Sequence, residues 1–188
     1  MGITFKEKNY SKKTFVEIQG HFGVKKSKLN YSLNMFILGF KYDFSIINSE
    51  FFIEQSKRIF LFCFSFIEKT NKFLFVNSSL FSKEFLSFLV YRSLESIITQ
   101  KWINGLLTNS LWVKPAVLFV WDVKNILILQ ESYLKNLPLI LLDNLSISLN
   151  KCFYFLFSNY FSKKLLYFYY KNLTNFILLS KLYKFSIK

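Results

Sequence analysis

Three short, nearly continuous apolar runs constrain this chain more than any other feature. Residues 72–76 read Lys-Phe-Leu-Phe-Val, residues 116–121 read Ala-Val-Leu-Phe-Val-Trp, and residues 138–142 read Pro-Leu-Ile-Leu-Leu. A strand with one wet face alternates apolar and polar residues, whereas a strand buried on both faces stays apolar, as in a parallel sheet covered by helices. Each run ends on a polar residue, at Asn77, Asp122 and Asp143. Segments of helical period lie between them. Residues 82–92 place Phe85, Leu86, Leu89 and Val90 on one helical face, and residues 126–133 read as a further helix. Strand and helix in turn predict an α/β fold. Upstream, residues 36–40 and 44–48 flank Tyr42-Asp43, which predicts an N-terminal hairpin. Residues 50–68 predict a long amphipathic helix, and residues 161–180 a final one rich in aromatic side chains.

Charge sets the partner class. Of 188 residues, 25 are Lys or Arg and 11 are Asp or Glu, a formal net charge of +14. Lys25, Lys26 and Lys28 cluster near the start, and no acidic residue follows Asp143, while Lys151, Lys163, Lys164, Lys171, Lys181, Lys184 and Lys188 do. Basic ends around a more neutral middle point to a polyanion, either nucleic acid or an anionic membrane surface. The reading divides the chain into a basic arm and loop (1–30), an α/β core (31–160), and a basic helix and tail (161–188). No stretch without charge exceeds the dozen residues of 29–40 and 102–113. A spanning helix needs about 20, so no transmembrane segment is expected. Residues 1–13 carry lysines and no apolar stretch, so no secretory signal is expected either.

Few residues offer chemistry. Asp122 and Asp143 stand at the predicted carboxyl ends of strands, where open α/β sheets place ligand groups. A nucleotide-binding enzyme would use them so, but the five glycines form no phosphate-cradling pattern, and helix or loop capping is the favoured reading. His21, the chain's one histidine, has no partner at catalytic spacing. Nearby lysines should lower its pKa and keep it neutral. Cys63 and Cys152 read as small core residues. No metal site or cofactor is expected.

Residues in a fixed order then carry a resemblance. His21-Phe22-Gly23 is followed by Asn30, Gly39, Ile46-Ile47-Asn48 and Glu50, and later by Leu74-Phe75-Val76. Lys101-Trp102-Ile103-Asn104-Gly105-Leu106-Leu107-Thr108-Asn109 comes next, then Pro115-Ala116-Val117-Leu118-Phe119-Val120-Trp121-Asp122, Glu131, Leu137-Pro138 and Asp143. From about residue 20 to 160 the chain resembles the bacterial-type small-subunit ribosomal protein two family. It departs from that pattern in four places. Only five residues separate Asn109 from Pro115, where the family carries a helical coiled-coil hairpin, so that projection is expected to be absent. A Gly-Thr-Lys-Arg element has become Asn77-Ser78-Ser79-Leu80, which removes two cations, and a late Ile-Pro-Gly-Asn element is reduced to Phe157-Ser158-Asn159. Asn104 replaces the first glycine of a pair, which puts close backbone approach at that turn in question.

The resemblance implies a flavodoxin-like parallel sheet flanked by helices. It also implies a structural, non-enzymatic role in translation, bound to small-subunit rRNA near the head–body junction and touching neighbouring small-subunit proteins. Charge and motif position together single out His21, Lys25, Lys26, Lys28, Asn30, Lys101, Trp102, Thr108 and Asn109 for RNA contact, with Lys163 and Lys164 beside them. Trp102, Tyr31 and Phe22 are candidates for stacking on an exposed base. With 23 Lys, two Arg and 25 Phe, the chain favours residues with AT-rich codons. That bias predicts a mitochondrial ribosome, with a plastid as the alternative. The rival classes are a flavodoxin-like nucleotide-binding enzyme and a basic membrane-surface protein.

Overall fold

The computed structural model describes residues 11–67, 72–77, 83–98, 102–109, 115–121, 126–143, 152–159 and 162–187. Strands β4 (Phe73–Asn77), β5 (Ser96–Ile98), β6 (Val117–Trp121), β7 (Leu139–Asp143) and β8 (Tyr154–Phe157) form one sheet in the order β5-β4-β6-β7-β8. All neighbours run parallel. Counted within the sheet, that is the 2-1-3-4-5 order of flavodoxin-like folds. The three apolar runs are its three central strands, as their two-sided burial requires. β5 and β8 are edge strands that the sequence reading did not separate from their surroundings; β5 has three residues, and β8 lies inside a longer aromatic stretch.

Strand alternation sorts the core into two layers of different chemistry. Phe73, Phe75, Val117, Phe119, Trp121, Ile140 and Leu142 face one side, which is covered by α2 (Ser49–Ile67), α3 (Lys83–Ser93) and α5 (Lys163–Ile187). Leu74, Val76, Leu118, Val120, Leu139 and Leu141 face the other, under α4 (Leu127–Leu134) and the turn at residues 102–109. The first layer is a continuous aromatic stack. Phe75 and Phe119 lie 5.0 Å apart, Phe119 and Trp121 5.8 Å, and Trp121 and Tyr170 5.0 Å between ring centroids. Much of the phenylalanine excess is therefore internal packing, where large rings bury the most area per residue. Cys63 is buried in this layer and burial pushes its thiol pKa up; Cys152 is half-buried against the other.

Phe22–Lys25 (β1), Ile37–Lys41 (β2) and Phe44–Ile47 (β3) form a second, antiparallel sheet in the order β1-β3-β2. The expected hairpin is β2–β3, and its turn residues Tyr42 and Asp43 both have positive φ, 48° and 64°, as a two-residue hairpin turn of matching twist requires. β1 was not anticipated. It belongs to the segment read as a basic arm and loop, and it pairs with β3. Leu29, Leu33 and Ile47 pack with Phe157 and seat the small sheet against β8.

Helix ends follow local chemistry. The Asn48 Oδ1 accepts from the Glu50 N–H at 3.0 Å and caps α2. Lys12, on α1 (Lys12–Glu17), forms an ion pair with Glu50. α5 runs past the expected residue 180, and its Leu165, Leu166, Tyr169, Tyr170, Leu173 and Ile177 enter the main core. That face makes it part of the body as well as a carrier of lysines. Glu95, side chain 2% exposed, accepts from the Phe73 N–H at 2.8 Å and pairs with the α5 residue Lys181 at 2.5 Å, which ties the far end of that helix to the sheet.

Candidate nucleic-acid interface

The loop after α1 is shaped by close packing. A Cβ on Gly20 would lie 2.3 Å from the Phe15 ring, and Phe15 is buried and stacked on Phe52, so only glycine fits there. The chain then presents His21, whose ring is 4.2 Å from that of Phe22. Burial, and secondly the Lys41 charge, hold the imidazole pKa below its ordinary value. The direction matches the sequence expectation, but the cause differs: burial leads, and the cation is Lys41 on the hairpin rather than the lysines that follow in sequence.

Those lysines are interleaved with rings. Lys25 ends β1 opposite Phe44 of β3, and its Nζ lies 5.7 Å from that ring. Lys26 sits 5.5 Å from the Phe40 ring, and Lys41 5.8 Å from that of Tyr42. Lys25, Lys26, Lys28 and Lys41 are all exposed. Cation–π contacts at exposed sites contribute about 0.5–1 kcal/mol each, enough to hold ammonium groups and rings side by side. Asn30 has a local task, because its Oδ1 accepts from the Ser32 N–H at 3.2 Å and the Ser32 hydroxyl at 2.9 Å. Tyr31 beyond it is exposed.

Residues distant in sequence join this edge. The Asn159 N–H donates to the Gly20 carbonyl, and its Nδ2 to the Gln19 carbonyl, both at 3.3 Å. The Ser162 hydroxyl donates to the Ile18 carbonyl at 2.8 Å. These bonds stitch the start of α5 to the His21 loop and bring Lys163 and Lys164 to the same end of the molecule. Both stand in the first helical turn, which holds no acidic residue. Cations oppose the helix dipole there, so the arrangement concentrates positive potential instead of dissipating it. A cleft of about 680 Å³ opens between the two segments, lined by Phe22, Gly23, Val24, Lys25, Ser27, Lys28, Phe44 and Asn159.

The second predicted group stands elsewhere. Trp102, Thr108 and Asn109 belong to the α4 face of the parallel sheet. Trp102 is 6% exposed and packs among Leu74, Leu118 and Leu139. The expectation that it stacks on a base is corrected, since its ring belongs to the core and its indole N–H donates to the Glu131 Oε1 at 3.2 Å. The same carboxylate accepts from the Gly105 N–H at 2.8 Å and the Leu107 N–H at 3.1 Å. Glu131 organises this turn, a role that sequence reasoning missed although a carboxylate three residues after Ile128 on an apolar helix face was the signal. Gly105 has φ +84° and Asn104 is not left-handed, so the glycine the turn needs is the one retained. Thr108 and Asn109 are exposed. Lys101, Asp122, Ser78–Leu80, Lys151 and Lys188 lie outside the described residues. Asp143 ends β7.

Among the described residues, no group of three His, Cys, Asp or Glu side chains is placed to hold a metal ion, and no helix is long and apolar enough to cross a membrane. Residues 15–114 match the family model described as Ribosomal protein S2. No curated protein matches the chain. The matched span holds the small sheet, α2, β4, α3, β5 and the Glu131-bound turn, and it ends one residue before Pro115.

Proposed function

The chain belongs to the ribosomal protein S2 family, whose members are structural constituents of the small ribosomal subunit, and from that premise we propose that it binds small-subunit rRNA in a mitochondrial ribosome. The observation that carries the RNA reading is the edge where Lys25, Lys26 and Lys41 lie against the rings of Phe44, Phe40 and Tyr42, with Lys28 beside them. Lysines that neutralise phosphates release condensed counterions and give affinity without sequence readout. Backbone amides and small polar side chains then set the register. Rigidity supports the same reading, because the small sheet that carries these cations is packed against β8 through Leu29, Leu33, Ile47 and Phe157, and α5 is stitched to the loop beside it. The backbone of the edge is set by its strand pairing, and its work is positional, making and breaking no covalent bond.

The organellar setting rests on composition. A preference for Lys over Arg of 23 to two, together with 25 Phe, is the bias that an AT-rich genome imposes. Docking near the head–body junction, beside neighbouring small-subunit proteins, follows from the family resemblance. Sedimentation of a mitochondrial lysate through a density gradient tests all of this at once. The chain is expected to travel with the small subunit and to leave it after ribonuclease treatment. Recovery on membranes after a high-salt wash, in a fraction free of rRNA, would overturn the proposal.

A further inference from the structure

The cleft beside β1 has a more particular shape than a basic surface requires. It is lined by the apolar residues Phe22, Gly23, Val24 and Phe44, and by the polar residues Lys25, Ser27, Lys28 and Asn159. Its volume of about 680 Å³ falls in the range of sites that enclose a small ligand. Phe44 is 39% exposed, and Lys25 lies over its ring. Asn159 uses its Nδ2 on the Gln19 carbonyl, and among the described residues its Oδ1 accepts no hydrogen bond. Lys26 and Lys41 add two more exposed cations at the same edge, near Asp43 of the hairpin turn.

We propose that this cleft takes one unpaired nucleotide of RNA, with the base on the Phe44 ring and its phosphates on Lys25 and Lys28. The inference rests on the RNA-binding reading above and deepens it, because a surface that only neutralises phosphates needs no cavity and no exposed ring. An acidic peptide would satisfy the ammonium groups and leave the exposed Phe44 ring unused. A base offers a face to the ring and an exocyclic amine to the Asn159 Oδ1. Lys25 bridges the two functions: it rests over Phe44 in the free protein and moves to phosphate when the base displaces it.

The test measures binding of the full chain to a short oligoadenylate and to a short RNA duplex of equal charge. Phe44→Leu, which keeps apolar bulk without a π-face, should weaken oligoadenylate binding roughly 5- to 140-fold, the span of one base–aromatic stack, and leave duplex binding unchanged. Phe44→Tyr should restore it, while Lys25→Gln with Lys28→Gln should weaken both. Unchanged melting temperatures establish that the variants fold. Equal losses on strand and duplex, or no loss on either, overturn the nucleotide site while the broader RNA role stands. If Phe44→Leu instead releases a neighbouring protein from the subunit and leaves RNA affinity intact, the cleft is a protein contact. A wild-type chain that binds neither RNA removes the parent reading as well.

Discussion

Glu131 shows how much one side chain can decide. Its carboxylate accepts three hydrogen bonds, from the Trp102 indole and from the backbone of Gly105 and Leu107. Glu131→Ala leaves those donors unpartnered in or near the core and should cost about 2–4 kcal/mol, read as a lower urea midpoint at unchanged slope. Glu131→Gln keeps an acceptor and should lose less. His21 gives a second prediction at this scale. Its pKa is depressed in the folded chain, by burial first and Lys41 second, so the folded state resists protonation more than the unfolded one. Its contribution to stability is therefore complete above the ordinary value of 6.5 and declines as pH falls below that value. Lys41→Met should raise the pKa part of the way and leave it below 6.5, because burial remains. The lone imidazole makes this a direct proton-resonance titration.

At the scale of elements, the hairpin was legible and its neighbour was not. Tyr42-Asp43 between two apolar runs marks a turn, and the structure places both residues at positive φ. Tyr42 is 86% exposed, and the Lys41 ammonium over its ring contributes less than the left-handed conformation costs. Tyr42→Gly should stabilise the chain by about 1 kcal/mol, a rise of roughly 2–4 °C in melting temperature for a chain of this length. β1 escaped notice because Phe-Gly-Val-Lys is too short and too mixed to show a period, and it becomes a strand only when β3 is there to pair with it. α5 was legible as a helix, but its role was not. The register of Tyr169, Tyr170 and Leu173 against the aromatic layer makes it a core element, and the Glu95–Lys181 pair fixes its far end.

At the scale of the molecule, the positive charge is gathered as well as large. Lys25, Lys26 and Lys28 are exposed and stand outside the three hydrophobic clusters. Replacing all three by Glu should abolish incorporation into the small subunit and leave the fold intact, checked by circular dichroism alongside gradient fractions. Replacing them by Gln should flatten the logarithmic dependence of RNA affinity on salt by ~2–3, close to one counterion for each lysine removed. A variant that still assembles at full occupancy would mean that this edge faces something other than RNA.

The amino-acid order by itself determined the α/β class, the three central strands, the hairpin, the long helices and the excess of positive charge. Each of these follows from local periodicity or from summed charge, which need no knowledge of what lies across the fold. Tertiary structure alone decided which candidates meet. It buried Trp102 behind Glu131, 29 residues away in the chain, and set Asn159, which lines the cleft, against Gln19 across 140 residues. Burial and proximity belong to the packed chain: a tryptophan beside a basic residue reads the same whether its ring faces solvent or core, until the sheet supplies one face to pack on and a carboxylate to take its proton donor.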